Sequence, residues 1–146
     1  MSCTVDASVF VAAARLREAQ SAASNEFLDW LRAESVPVFC PTLVLPECSA
    51  AVIRPTGDLE LATEVVEMIV EFPALRQIAL DELMARRAAE IARTLRVRGG
   101  DAVYVAVAEA QRTTLVTWDG EVLQRAPALV PTMTPAQWLA KQKASP

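Results

Sequence analysis

Short apolar runs alternate with longer stretches of helical periodicity along the whole chain, and this alternation limits the fold more than any other feature. Residues 3–5 (CTV), 37–40 (PVFC), 76–80 (RQIAL), 114–117 (TLVT) and 129–133 (LVPTM, at an edge) read as strands. Residues 7–19 suit a helix with Val9, Ala13 and Leu16 on one face. A second helix at 25–34 turns Phe27, Leu28 and Leu31 inward behind Ser24 as N-cap. Thr42 caps a third, which Pro55 and Gly57 stop near Arg54. Residues 58–71 place Leu61, Val65, Ile69 and Phe72 on one side and Glu60, Glu64, Glu67 and Glu71 on a solvated one. Asp81 begins a long helix with Met84, Ala88, Ile91 and Leu95 inward, ended by Gly99 and Gly100. Residues 101–111 are apolar almost all round and belong in the interior. A short helix follows Asp119-Gly120, and a last helix holds Trp138.

Strands that alternate with helices predict a mostly parallel sheet covered on both faces: an α/β fold, a three-layer α/β/α sandwich, in one domain spanning residues 1–146. The length fits a single core, and 53% hydrophobic residues supply it. In such sheets ligands sit beyond the C-terminal ends of the strands, where the strand order reverses.

Composition removes several chemistries. Histidine is absent, which excludes a Ser-His-Asp triad, a Cys-His dyad, histidine-ligated zinc and histidine proton transfer within the chain. Both lysines, Lys141 and Lys143, lie in the tail. The net charge of −4 argues against binding nucleic acid by bulk electrostatics, although locally placed arginines (Arg15, Arg17, Arg96, Arg98 and Arg112) remain candidates for phosphate contacts. Cys3, Cys40 and Cys48 show no zinc-like spacing and read as buried thiols in a reducing cytoplasm. The first residues carry no basic run of a signal peptide, and no apolar stretch reaches the ~20 residues of a membrane span.

Four carboxylates fall in unusual places. Asp6 follows the first strand, Asp119 follows the TLVT strand, Asp101 opens the buried helix, and Glu47 interrupts the apolar run TLVLPECSAAVI. Singly, Asp6 and Asp101 read equally as N-caps and Asp119-Gly120 as a turn. Glu47 is harder to explain so, because a desolvated carboxylate needs a partner or a shifted pKa. Jointly, two of the four stand where α/β sheets place their sites and the other two can reach the same crevice. A cluster of this kind stays ionised around a divalent cation, and oxygen-only donors favour Mg²⁺ or Mn²⁺ over zinc.

The segments VDASVF, LVLPECSAAVIR, RGGDAVYVAVAEA and LVTWDGEVLQRA, in this order, resemble the PIN-domain ribonucleases, and among them the toxins of VapBC toxin–antitoxin pairs. The likeness covers residues 4 to about 125. It implies a catalytic and metal-binding quartet of Asp6, Glu47, Asp101 and Asp119, with Ser8 and Thr117 as small hydroxyl positions beside it. Trp118 is bulkier than is usual before the last acid, and Glu121 offers a spare carboxylate. The implied activity is hydrolysis of RNA phosphodiester bonds with one or two Mg²⁺ or Mn²⁺ ions, leaving a 3′-hydroxyl and a 5′-phosphate. The implied partners are a cognate antitoxin, laid across the helical face around residues 9–54, and a second copy of the chain in a homodimer, with no membrane. Two other readings stand beside this one: a PIN-like binding or scaffold domain without activity, and another magnesium-dependent phosphoryl-transfer enzyme. The latter is disfavoured by the missing lysine and by Ala7-Ser8 where a DxD motif would continue.

Overall fold

The computed structural model describes residues 1–145. Five strands, β1 (Cys3–Val5), β2 (Val38–Pro41), β3 (Leu75–Ile78), β4 (Thr114–Val116) and β5 (Thr132–Met133), form one sheet in the order β3-β2-β1-β4-β5. Every pairing is parallel, with Thr4 opposite both Phe39 and Leu115. The chain moves from β1 outward to β3, then crosses back to the other side of β1 to lay down β4. The order therefore switches between β1 and β4.

The crossovers of a parallel sheet put the helices on its two faces. The outward path carries α1 (Ala7–Ala14), α2 (Ser21–Ala33), α3 (Val44–Thr56) and α4 (Leu59–Val70), which pack on one another, and α8 (Pro135–Ala144) joins them against α2. The return path carries α5 (Glu82–Leu95) and α6 (Gly99–Gln111), and α6 lies across β1, β2 and β4. The short α7 (Gly120–Arg125) follows β4. This is the three-layer α/β/α sandwich expected from the alternation. The core joins Val5, Val9, Phe10, Phe27, Leu31 and Ile69 on one side of the sheet to Ile91, Val105 and Leu115 on the other. Ala102 to Ala108 are all buried, as the apolar run predicts, and Glu60, Glu64, Glu67 and Glu71 are exposed. All three cysteines are buried and free. No helix among the described residues is long and apolar enough to cross a membrane.

Several boundaries differ from the sequence reading, each for a local reason. The first helix ends at Ala14, not near residue 19, because Asn25 Nδ2 (2.9 Å) and Ser21 Oγ (3.4 Å) donate to the Ala13 carbonyl and satisfy its end from α2. Ser24 is not an N-cap: α2 starts at Ser21, and Ser24 is buried within it. Thr42 makes a turn rather than a cap, since α3 begins at Val44 behind Leu43. Pro55 sits inside the last turn of α3, and Gly57 alone ends the helix. Gly99 and Gly100 do not end α5. Arg96, in the left-handed region at φ 57°, ends it, and the two glycines open α6. The last strand shrinks to Thr132–Met133.

Gly57 adopts φ +65° and its N–H donates to Ile53 O at 2.8 Å, while a Cβ there would meet nothing within 4 Å. Gly57→Ala should therefore cost about 1 kcal/mol through backbone strain alone, and Gly57→Asn less, as read by urea unfolding.

Candidate active site

Each of the four carboxylates singled out by the sequence stands at the start of a different helix. Asp6 is the N-cap of α1 and Asp119 of α7, Asp101 is in the first turn of α6, and Glu47 is in the first turn of α3. The N-terminal end of a helix carries a partial positive charge from its unpaired N–H groups, so each acid lies where a negative charge is best tolerated. Asp6 and Asp119 follow β1 and β4, the strands on either side of the switch in order. The acids are close enough to repel one another: Asp6 acts on Glu47 and Asp101, and Asp119 acts on Asp6 and Asp101.

Asp6 is only 8% exposed. Its Oδ2 accepts from the Ser8 amide (3.3 Å) and from Thr117 Oγ1 (3.0 Å). Ser8 Oγ accepts from the Trp118 amide at 3.1 Å, and Thr117 Oγ1 accepts from the Asp119 amide at 3.0 Å. The two hydroxyls thus tie the end of β1 to the end of β4 and set Asp119 relative to Asp6. Trp118 adds a further tie, since its indole N–H donates to Ser24 Oγ on α2 at 2.7 Å. Asp119 Oδ1 accepts from the Val122 amide at 3.0 Å, closing the N-cap of α7. Glu121 bonds Arg125 at 3.1 Å, so the spare acid is engaged in an ion pair on α7.

Glu47 is half-buried, and its Oε1 accepts from the hydroxyl of Tyr104 at 2.7 Å. A Cβ on Gly100 would stand 3.0 Å from Glu47 Oε2, so a glycine in the first turn of α6 is what lets this carboxylate come so near. Tyr104 went unnoticed in the sequence reading. The signal was present: it is the chain's single tyrosine, set in a helix of alanine and valine three residues after Asp101, and a buried phenol needs a hydrogen-bond partner.

Arg98 is the second residue whose role only the fold reveals. Its Nε donates to Asp101 Oδ2 at 3.1 Å and an NH2 nitrogen to Asp119 Oδ2 at 2.7 Å, so one guanidinium bridges two of the four acids. Of the arginines offered as phosphate contacts it is the one that touches the acids. Arg15 pairs with Glu18, and Arg112 lies at the far end of α6, about 20 Å along the helix from its start.

Burial pushes the Asp6 carboxyl upward, against the bonds from Ser8 and Thr117 that hold it down. Burial also raises Glu47, opposed by Tyr104, and raises Asp101, opposed by Arg98. In both, neighbouring carboxylates add to the rise. Donors that fit a hard cation are present. Among the described residues, no side-chain hydrogen bond reaches Oδ1 of Asp6, Oδ1 of Asp101 or Oε2 of Glu47. Among those residues no group of three or more Cys, Asp or Glu side chains is arranged to hold a metal ion as it stands. The cation at the cluster is the Arg98 guanidinium.

A parallel sheet with carboxylates gathered at its switch in strand order defines an α/β domain with an acidic site at the C-terminal edge of the sheet. The chain belongs to the PIN domain family, which it matches over residues 3–129. Its fold is similar to that of VapBC2 from Rickettsia felis bound to a DNA fragment from its promoter, at 17% identity and TM-score 0.69 over 91% of this chain and 98% of that one. It is also similar to Mycobacterium tuberculosis VapC20, a toxin that cleaves the sarcin-ricin loop, at 21% identity and TM-score 0.68 over 82% and 91%. PAE2754 from Pyrobaculum aerophilum shares the fold at 19% identity and TM-score 0.71 over 99% and 97%. No curated protein matches the sequence.

The raised carboxyls set the pH dependence of stability. Asp6, Glu47 and Asp101 hold their protons more tightly folded than unfolded, so the folded state binds more protons once the pH passes the ordinary values of 3.8 and 4.5. Stability then falls as pH rises through that window, and is greatest below it as far as these groups are concerned. With no histidine in the chain, few other groups titrate between about pH 5 and 8. Urea unfolding in EDTA should show this decline, and Asp6→Asn should lessen it; an equal decline in the variant would contradict the assignment to Asp6.

Proposed function

We propose that the protein is a ribonuclease dependent on Mg²⁺ or Mn²⁺, the toxin of a toxin–antitoxin pair. The observation that carries this reading is the meeting of Asp6, Glu47, Asp101 and Asp119 at four helix starts around the β1–β4 switch. Membership of the PIN domain family supports it, as do the neighbouring folds, one a toxin that cleaves the sarcin-ricin loop and one a VapBC complex.

Asp6, Asp101 and Asp119 would hold one or two ions, with Glu47 as a further ligand or as the group that orients the attacking water. A bound divalent ion lowers the pKa of a water and offsets charge on the phosphoryl oxygens. The chain's own residues fix the rest. Ser8 and Thr117 clamp Asp6 so that one oxygen stays free for the site. Tyr104 holds Glu47 by Oε1 and leaves Oε2 turned toward Gly100. Water is the nucleophile, and the bond to the 3′-oxygen breaks, leaving a 3′-hydroxyl and a 5′-phosphate.

The partners follow from the same reading. A cognate antitoxin would lie on the helical face formed by α1, α2 and α4. There Leu16 and Leu59 are 79% and 74% exposed, and an apolar groove runs between Ala14, Leu28, Leu61 and Met68. The toxin would act as a homodimer in the cytoplasm, a setting in keeping with three buried free thiols.

Asp6→Asn and Asp101→Asn should each bring Mg²⁺- or Mn²⁺-dependent cleavage of RNA to background, while thermal unfolding at neutral pH stays near wild type or rises. The rise is expected because the amide escapes the desolvation that an ionised carboxylate suffers there. Cleavage in EDTA equal to that in Mg²⁺, or full activity in either variant, would remove the proposal. A wild-type protein that neither binds Mn²⁺ nor cleaves RNA would instead be a PIN-like binding or scaffold domain.

A further inference from the structure

We propose that Arg98 is a displaceable internal cation: its guanidinium holds Asp101 and Asp119 together until a divalent ion takes its place, so metal loading and the Arg98 bridge exclude one another. This rests on the nuclease reading above and adds a residue that controls access to the acids.

Four features carry the inference. The guanidinium spends both of its contacts on candidate ligands, Nε on Asp101 at 3.1 Å and an NH2 nitrogen on Asp119 at 2.7 Å. The guanidinium thus occupies one oxygen of each acid, so a cation bound by Asp101 and Asp119 together has to share them with it or displace it. The side chain is 74% exposed, whereas Asp101 and Asp119 are 13% and 21% exposed; the mobile partner is therefore the arginine. Among the described residues it makes no other side-chain hydrogen bond, so nothing else holds it over the site.

The backbone makes the swing inexpensive. Arg98 is the N-cap of α6 in an extended conformation (φ −64°, ψ 154°), and its carbonyl accepts from the Ala102 amide at 2.9 Å. Its side chain makes no capping bond, so only side-chain torsions change when it leaves and the helix start stays in place. One guanidinium facing four carboxylates also under-neutralises the site. A divalent ion brings twice the charge in a smaller volume and can approach oxygens that a planar fork cannot reach.

The test is Mn²⁺ binding to the RNA-free protein, read from the loss of the free-Mn²⁺ electron paramagnetic resonance signal, for wild type, Arg98→Ala, Arg98→Lys and Asp101→Asn. Arg98→Ala should bind Mn²⁺ about three- to tenfold more tightly than wild type, the scale of the two exposed ion pairs it gives up. Arg98→Lys, which keeps the charge but loses the fork, should fall between the two. A second readout is thermal: in EDTA, Arg98→Ala should melt below wild type, and saturating Mn²⁺ should close that gap. Arg98→Ala with Mn²⁺ affinity equal to or weaker than wild type overturns the inference while leaving the nuclease reading intact, provided Asp101→Asn weakens binding. Absence of Mn²⁺ binding in wild type and Arg98→Ala alike removes both.

Discussion

Repulsion among Asp6, Glu47, Asp101 and Asp119 is the constraint to which the rest of this structure answers. Carboxylates brought within reach of one another in a partly desolvated place destabilise the fold unless something offsets them. Three devices do so here. Each acid sits at a helix start, where the helix end carries partial positive charge, and helix amides donate to Asp6 and Asp119. Each accepts at least one hydrogen bond: from Ser8 and Thr117 for Asp6, Tyr104 for Glu47, Arg98 for Asp101, and Arg98 and the Val122 amide for Asp119. One guanidinium lies between two of them. The carboxyls of Asp6, Glu47 and Asp101 are still pushed upward, so the offset is incomplete.

The supporting residues also connect the site to the helical layers. Trp118 is held at both ends, its amide on Ser8 of α1 and its indole on Ser24 of α2. Its bulk, unexpected beside the last acid, fills the space between the β4 turn and α2 and fixes where Asp119 emerges. Ser24 in turn is placed by the start of its own helix, donating to Gln20 O at 2.8 Å. The position of Asp119 thus depends on α2 as well as on β4.

Much of this was legible in the sequence because the burial pattern and the helical period agree. The helix Leu59–Val70 shows its buried and exposed sides as written, and the apolar run after Asp101 is buried from Ala102 to Ala108. The carboxylates stood out because strand ends are read directly from apolar runs. What failed were boundaries decided by contacts distant in sequence. Gly99 and Gly100 look like a helix stop, yet they open α6, and a Cβ on Gly100 would stand 3.0 Å from Oε2 of Glu47, more than fifty residues earlier. Ser24 looks like a cap, and it is buried in a helix because Trp118 bonds it. Arg98 looks like any other surface arginine; only the approach of α6 to β4 shows that its fork spans two carboxylates. Local propensity contains none of these pairings, since each is made by the sheet order and not by neighbours along the chain.

The electrostatics also bear on the order of events at the site. RNA is a polyanion, the chain as a whole is acidic at −4, and the candidate catalytic end concentrates four carboxylates. A phosphodiester approaching that end meets repulsion, and no lysine or histidine is on hand inside the fold to reverse it. The cluster becomes attractive to phosphate only when cations outweigh the acids. A single exposed guanidinium does not achieve this against four acids. On the proposed reading, a divalent ion in its place would move the balance toward neutral and free the guanidinium, which the start of α6 keeps at the rim. On the proposed nuclease reading, a divalent ion at the cluster would therefore lessen the repulsion a phosphodiester meets there, and arginines elsewhere on the chain would have to supply the remaining attraction.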